Sequence, residues 1–249
     1  MSDIHRIVNK QVNRWNVERE ILDRRHIEEE AGRAVRPSEQ RPVVTISRQR
    51  GCRGKELGKI VSHELRYGLF DREIIEYIAE HASVRREVIE SLDEKDRSDL
   101  ELWIDGILSG RIVDHDDYIR NLSKLVKTTA LQGGVVILGR GANYFLSQTS
   151  AYRVRIIAPL SKRIENLISQ EGMTEKQARD EIERVDRNRA EFVKRYFQKD
   201  IDDSLAYDIT INLGSHSLDG AVKIILSALR AKGWTVAQTG GDKRGTSRK

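Results

Sequence analysis

From Pro42 onward, short apolar runs alternate with stretches whose apolar residues recur every three or four positions. Val43–Ser47 is a continuous β-prone run, and Lys55–Leu65 places Leu57, Ile60, Val61 and Leu65 on one side of a helix. A short segment ends at Phe70-Asp71, after which Arg72–Ala82 reads as helix through Ile74, Ile75, Ile78 and Ala79. Residues 84 to about 113 predict further short helices, strongly charged around Asp93-Glu94-Lys95-Asp96-Arg97. Asp114 or Asp116 can cap a helix running to Gln132, Gly133-Gly134 ends it, and Val135–Leu138 follows as a buried strand. Tyr152–Ile157 is the next strand, and Pro159 introduces a helix from about Ser161 that Gly172 interrupts. Thr174-x-x-Gln177 is a capping box that starts another helix, running to about Phe197. Tyr207–Leu213 and Leu218–Leu229 are the last strand and helix.

Strands separated by helices predict an α/β fold with a mainly parallel sheet covered on both faces. Ligands of such sheets bind beyond the carboxyl ends of the strands, where Gly51–Lys55 and Gly139–Gly141 both fall. Before Val43, residues 3–35 are charged and helix-prone, with a narrow stripe of Ile4, Val8, Val12, Trp15 and Leu22. Pro37 and Pro42 separate that helix from the first strand, and it serves either to lie on the core or to make a homodimer contact. After Trp234 the Gly-, Thr- and Lys-rich composition predicts a disordered basic tail. The expected organisation is an extension over residues 1–41, a domain over 42–234 and a tail over 235–249.

Composition narrows the function. Of 249 residues, 38% are hydrophobic, enough for a sizeable core. No run approaches the roughly 18 apolar residues that span a bilayer, and Met1-Ser2-Asp3-Ile4-His5-Arg6 lacks the apolar core of a signal peptide. A single cysteine excludes an internal disulfide, and no His/Cys cluster has zinc spacing. A cytoplasmic location without membrane partners is expected. The net charge is +5, of which the four basic side chains and one acid after Val236 contribute +3. The near-neutral remainder argues against a duplex nucleic-acid binder, and local arginine clusters suit a small polyanion.

Four constellations carry candidate chemistry. In Ile46-Ser47-Arg48-Gln49-Arg50-Gly51-Cys52-Arg53-Gly54-Lys55-Glu56 a strand, a loop with two glycines and a helix start follow one another, as in a phosphate cradle. Gly54-Lys55 match G-x-x-x-x-G-K-[ST], whereas Gln49 stands at the first glycine and Glu56 at the hydroxyl residue. Arg48, Arg50 and Arg53 crowd beside Lys55, and a bound triphosphate would compensate their repulsion. Phe70-Asp71-Arg72 offers an acid and a base at a helix opening, either as cap and salt bridge or as ligand contacts. Arg140, flanked by Gly139 and Gly141 at a strand end, can approach a ligand closely and bind phosphate bidentately, or simply face solvent. Arg184 and Arg187 share a helical face that a straight helix denies to Arg189, so they read as a solvated face or as a mobile lid.

The order of these segments, with Gly139-Arg140-Gly141-Ala142-Asn143-Tyr144, Asp186-Arg187-Asn188-Arg189-Ala190, Tyr207 and Asn212, resembles the cytidylate-kinase-like family of P-loop nucleoside monophosphate kinases. The resemblance covers roughly Val43 to Ala231. It implies a three-layer P-loop sandwich with a monophosphate-binding insertion near residues 71–114 and a helical lid near 184–203. It further implies transfer of the γ-phosphoryl of ATP, with Mg²⁺, to CMP or dCMP. Under it, Arg50, Gly51, Cys52, Arg53, Gly54, Lys55 and Glu56 would hold ATP. Asp71, Arg72 and Arg140 would bind the acceptor, and Lys55, Arg184, Arg187 and Arg189 would act in transfer. Glu56 would touch the metal, directly or through water. The charged insertion lacks a clear pyrimidine-reading pattern, and Glu56 also fits another class: a nucleotide-binding regulatory protein with little catalysis.

Overall fold

The computed structural model describes residues 41–71, 115–131 and 133–234. The extension at 1–40, most of the insertion and the tail from residue 235 lie outside the described residues, and with them the expected dimer contact and Arg72. Within them, β1 (Val43–Arg48), β2 (Gly68–Phe70), β3 (Val135–Leu138), β4 (Ala151–Ile157) and β5 (Ile209–Asn212) form one parallel sheet in the order β2-β3-β1-β4-β5. The intervening helices are α1 (Gly54–Leu65), α2 (His115–Leu131), α3 (Ala142–Phe145), α4 (Leu160–Glu171), α5 (Glu175–Phe197) and α6 (Leu218–Ala231).

Strand alternation decides what each face buries. Val44 and Ile46 of β1, Val136 and Leu138 of β3, and Val154 and Ile156 of β4 join Leu57 and Val61 of α1 and Ile225 and Leu229 of α6 in one core. The alternate positions Val43, Thr45, Val135 and Ile137 are buried too, as are Leu122, Leu125 and Val126 of α2, so both faces are covered. In β4 the alternate positions 153 and 155 are buried arginines. Arg153 is held by Asp208 at 3.2 Å, and Arg155 by Asp202 at 2.8 Å and the Ser47 hydroxyl at 2.9 Å, which is how two buried charges sit inside an otherwise apolar strand.

Helix ends follow local chemistry. Thr174 Oγ1 accepts from the Gln177 N–H and Gln177 Oε1 accepts from the Thr174 N–H, completing the expected box at the start of α5. Gly172, with φ of 68°, terminates α4. The last strand is shorter than Tyr207–Leu213 because Tyr207 closes a 3₁₀ turn (Ser204–Ala206) and donates its hydroxyl to the Ile201 carbonyl at 2.7 Å. Among the described residues no helix is long and apolar enough to cross a membrane.

Candidate functional site: a phosphate loop beside an arginine-lined cavity

The carboxyl end of β1 is where the sheet opens. Residues 49–53 carry the chain from Arg48 into α1, with Gly51 and Arg53 in the left-handed region at φ of 81° and 60°. That alternation turns successive N–H groups to one side, a concavity suited to an anion. Among the described residues no acceptor is bonded to the N–H groups of Gly51, Cys52 or Arg53. Glycine is required at 51: a Cβ there would lie 2.6 Å from the Arg163 carbonyl oxygen. The loop is fastened from behind. The Gln49 N–H donates to the Ile156 carbonyl (3.0 Å), the Ala158 N–H to Gln49 Oε1 (3.1 Å) and Asn166 Nδ2 to the Gly51 carbonyl (2.8 Å). Gln49, standing where the usual loop has glycine, thus ties the loop to the end of β4. Cys52 donates its thiol to the Gln49 carbonyl at 3.0 Å, and burial pushes that thiol up, so it serves as a neutral packing group.

The arginine crowd expected around Lys55 is largely compensated within the protein, which corrects the sequence reading. Arg50 donates to both carboxylate oxygens of Glu171 at 2.8 and 2.6 Å and to Glu181 at 3.2 Å. Its bonds to Glu171 outweigh burial and hold the guanidinium above its ordinary range. Arg53 forks onto Glu56 at 2.8 and 2.6 Å. Lys55, half-exposed, places its ammonium 4.0 Å from the buried Asp71 carboxylate.

Arg140 sits between Gly139 and Gly141, and all three residues have positive φ (80°, 59° and 67°). That tight turn lets Phe197 press against the loop, because a Cβ on Gly141 would meet its ring at 2.7 Å. Tyr144 stacks on Phe197 with ring centroids 4.8 Å apart, so the end of α5 is anchored on α3.

Of the three arginines expected in a lid, α5 turns Arg189 inward and leaves Arg184 exposed at the rim of the larger cavity. Arg189 donates Nη1 to the Arg48 carbonyl at 2.9 Å, although helical spacing sets it apart from Arg184. Arg184 lines the same cavity while bonded to Glu181 at 2.5 Å. Arg187 pairs with Glu183 on the exposed side and lines neither of the cavities described here, a departure from the expected trio caused by the helix phase. Asp186 fastens α5 down: Oδ1 accepts the Arg50 N–H at 2.8 Å and Oδ2 accepts Arg163 Nη1 at 2.6 Å.

Two cavities meet here. One of about 380 Å³ runs along the loop past Arg53, Lys55 and Glu56. The other, of about 510 Å³, lies between Ser47, Arg140, Asn143, Arg184 and Phe192. Arg48, Arg50 and Arg189 line both. Sequence reasoning missed Arg163, Glu171 and Glu181, whose roles arise from packing of α4 and α5. Glu171 and Glu181 carried a faint signal, as acids in helices opposite an arginine-rich loop.

The residues do not fit a protein-held metal centre. No group of three potential ligands converges among the described residues, and both Glu56 oxygens are engaged by Arg53. The described residues therefore offer no coordination set of their own at the loop.

Comparison with known proteins agrees with this geometry. Residues 43–215 match the model of the cytidylate kinase-like family. The cytidylate kinase of Natronomonas pharaonis is 26% identical over 125 residues, covering 50% of this chain and 65% of that enzyme. The cytidylate kinase of Aeropyrum pernix is 27% identical over 125 residues, covering 49% of this chain and 72% of that enzyme. The chain thus spans just under two thirds of the first relative's length. A crystal structure of an uncharacterised protein from Eubacterium ventriosum shares the fold, with a TM-score of 0.59 at 20% identity over 77% of this chain and 99% of that one. With the match extending from β1 past the end of β5, the chain belongs to the cytidylate kinase-like family.

Proposed function

We propose that this chain is an ATP-dependent phosphotransferase acting on a nucleoside monophosphate, CMP or dCMP, to give the diphosphate and ADP. The observation that carries this reading is the shared wall between the loop cleft and the arginine-lined cavity. A donor phosphate chain on the loop would end where an acceptor in the cavity begins. Gly51, Gly54 and Lys55 would hold donor phosphates, with Arg50, Cys52, Arg53 and Glu56 completing the cleft. Asp71, Arg72 and Arg140 would address the acceptor. Arg184 and Arg189 would neutralise charge on the group in transit, and docking of α5 would exclude water.

Such transfer rests on positioning and electrostatics rather than on a covalent nucleophile. ATP is the proposed donor, and magnesium would arrive as the counter-ion of its phosphates. The test is ADP release from ATP and Mg²⁺ against a panel of nucleoside monophosphates, with Lys55→Ala as control. Stimulation by CMP or dCMP that vanishes in the control is the expected result. ATP binding with no acceptor-dependent ADP release would instead support the second reading, a nucleotide-binding regulator with weak or no catalysis. The Arg53–Glu56 pair favours that alternative, since it occupies the carboxylate at the hydroxyl position of the loop.

A further inference from the structure

Arg48 is the one loop arginine without an ion pair among the described residues, whereas Arg50 and Arg53 are each forked onto glutamates. The fold is nonetheless shaped around it. A Cβ on Gly54 would lie 2.7 Å from Arg48 Cβ, and one on Gly139 would lie 2.0 Å from Arg48 Nη1. The glycine that opens α1 therefore makes room for the Arg48 stem, and the glycine after β3 makes room for its guanidinium. Arg48 also lines both the loop cleft and the larger cavity. Its backbone carbonyl accepts from Arg189, which brings a second guanidinium to the same junction.

Arg48 is half-buried, and a partly desolvated cation next to other cations is a costly arrangement unless an anion joins it. Burial, with Arg189 and Arg140 nearby, pushes Arg48 down to about 9, and the Asp71 carboxylate offsets only part of that shift. We propose that Arg48 is a catalytic residue that grips the phosphoryl group as it passes from the loop cleft to the cavity. The inference rests on the phosphotransferase reading above. In the step, an oxygen of the acceptor phosphate forms a bond to the γ-phosphorus. The bond from that phosphorus to the β–γ bridging oxygen breaks, and its electron pair stays on ADP. Charge spreads over the equatorial oxygens in between, and a fork-shaped donor at the junction meets it there.

The experiment compares wild type, Arg48→Lys and Arg48→Ala for ATP affinity by calorimetry, melting temperature, and kcat with the best acceptor. It repeats kcat of Arg48→Ala with added guanidinium ion at non-denaturing concentration. Expected are ATP affinities within about threefold of wild type, a kcat loss of about 100- to 1,000-fold in Arg48→Ala, a comparable loss in Arg48→Lys, and partial restoration of the alanine variant by guanidinium. A kcat within threefold of wild type in Arg48→Ala overturns the role while leaving the kinase reading intact. So does a kcat loss without guanidinium rescue, whether or not ATP affinity or melting temperature falls with it. A wild type that binds ATP but transfers nothing to any acceptor overturns the phosphotransferase reading, and this role with it.

Discussion

The ammonium of Lys55, on the first turn of α1, lies 4.0 Å from the carboxylate of Asp71, the residue that follows β2. One belongs to the loop cleft and the other is buried at the neighbouring strand end. The contact links a residue proposed for the donor with one proposed for the acceptor, and it neutralises part of the lysine charge. Lys55→Ala should lower kcat/KM by roughly 30- to 1,000-fold, equivalent to about 2–4 kcal/mol of transition-state stabilisation. Steady-state kinetics checks this, and an unchanged kcat/KM would refute the loop assignment. Asp71→Asn should raise the acceptor KM more than the ATP KM.

The phase of α5 turns Arg189 inward, sets Arg184 at the cavity rim and sends Arg187 outward. Arg189→Ala should lower kcat by about 100-fold or more, as removal of a preorganised charge at the junction does. Arg187→Ala should leave kcat within about threefold, since it loses only an exposed pairing with Glu183. Equal losses in both variants would show that α5 rotates or bends during the reaction cycle.

Asp186 joins the loop to α4 and α5 through the Arg50 N–H and the Arg163 guanidinium. The Arg163 side chain is only 11% exposed, and its Nε has no hydrogen-bond partner among the described residues. Asp186→Ala leaves that buried charge uncompensated, at a cost of roughly 3 kcal/mol. For a domain of this size the melting temperature should fall by roughly 6–12 °C, readable by differential scanning calorimetry. A shift under about 2 °C would mean that Arg163 finds another acceptor.

Acid should weaken the fold through Asp208 and Glu181. Burial raises both carboxyls, but Asp208 accepts the Arg153 N–H and guanidinium, and Glu181 accepts Arg184 and Arg50, so both lie below the ordinary carboxylate range. Depressed folded-state values contribute stability that is present above the unfolded carboxylate pKa and lost as pH falls through the lowered values. Asp208→Asn should cost roughly 3 kcal/mol at neutral pH, because Arg153 is buried. Urea unfolding of wild type and variant from pH 7 to pH 3 should show the gap closing with acid. A gap constant across that range would assign the loss to the hydrogen bonds alone.

Much of the architecture was legible in the chain. The β3 strand, the start of α5 at its capping box and the end of α4 at Gly172 fall where local pattern puts them. Local rules suffice there because a cap or a positive-φ glycine acts within four residues. The loop and the Gly139-Arg140-Gly141 turn were legible for the same reason, since glycine spacing at strand ends is a local signal. Arg153 and Arg155 were not, because their places within an apolar strand depend on Asp208 and Asp202, some 50 residues away.

By itself, the sequence determined the alternation of strands and helices and the placing of both glycine-rich turns at carboxyl strand ends. These follow from periodicity, capping and turn chemistry, which short stretches of chain specify alone. Only the tertiary structure decided which charges are satisfied. It paired Arg50 with Glu171 and Glu181, turned Arg189 onto the Arg48 carbonyl, sent Arg187 outward, and left Arg48 at the junction of two cavities. Such pairings depend on distances between elements far apart in sequence and on the phase at which a long helix docks, and no window of the chain contains either.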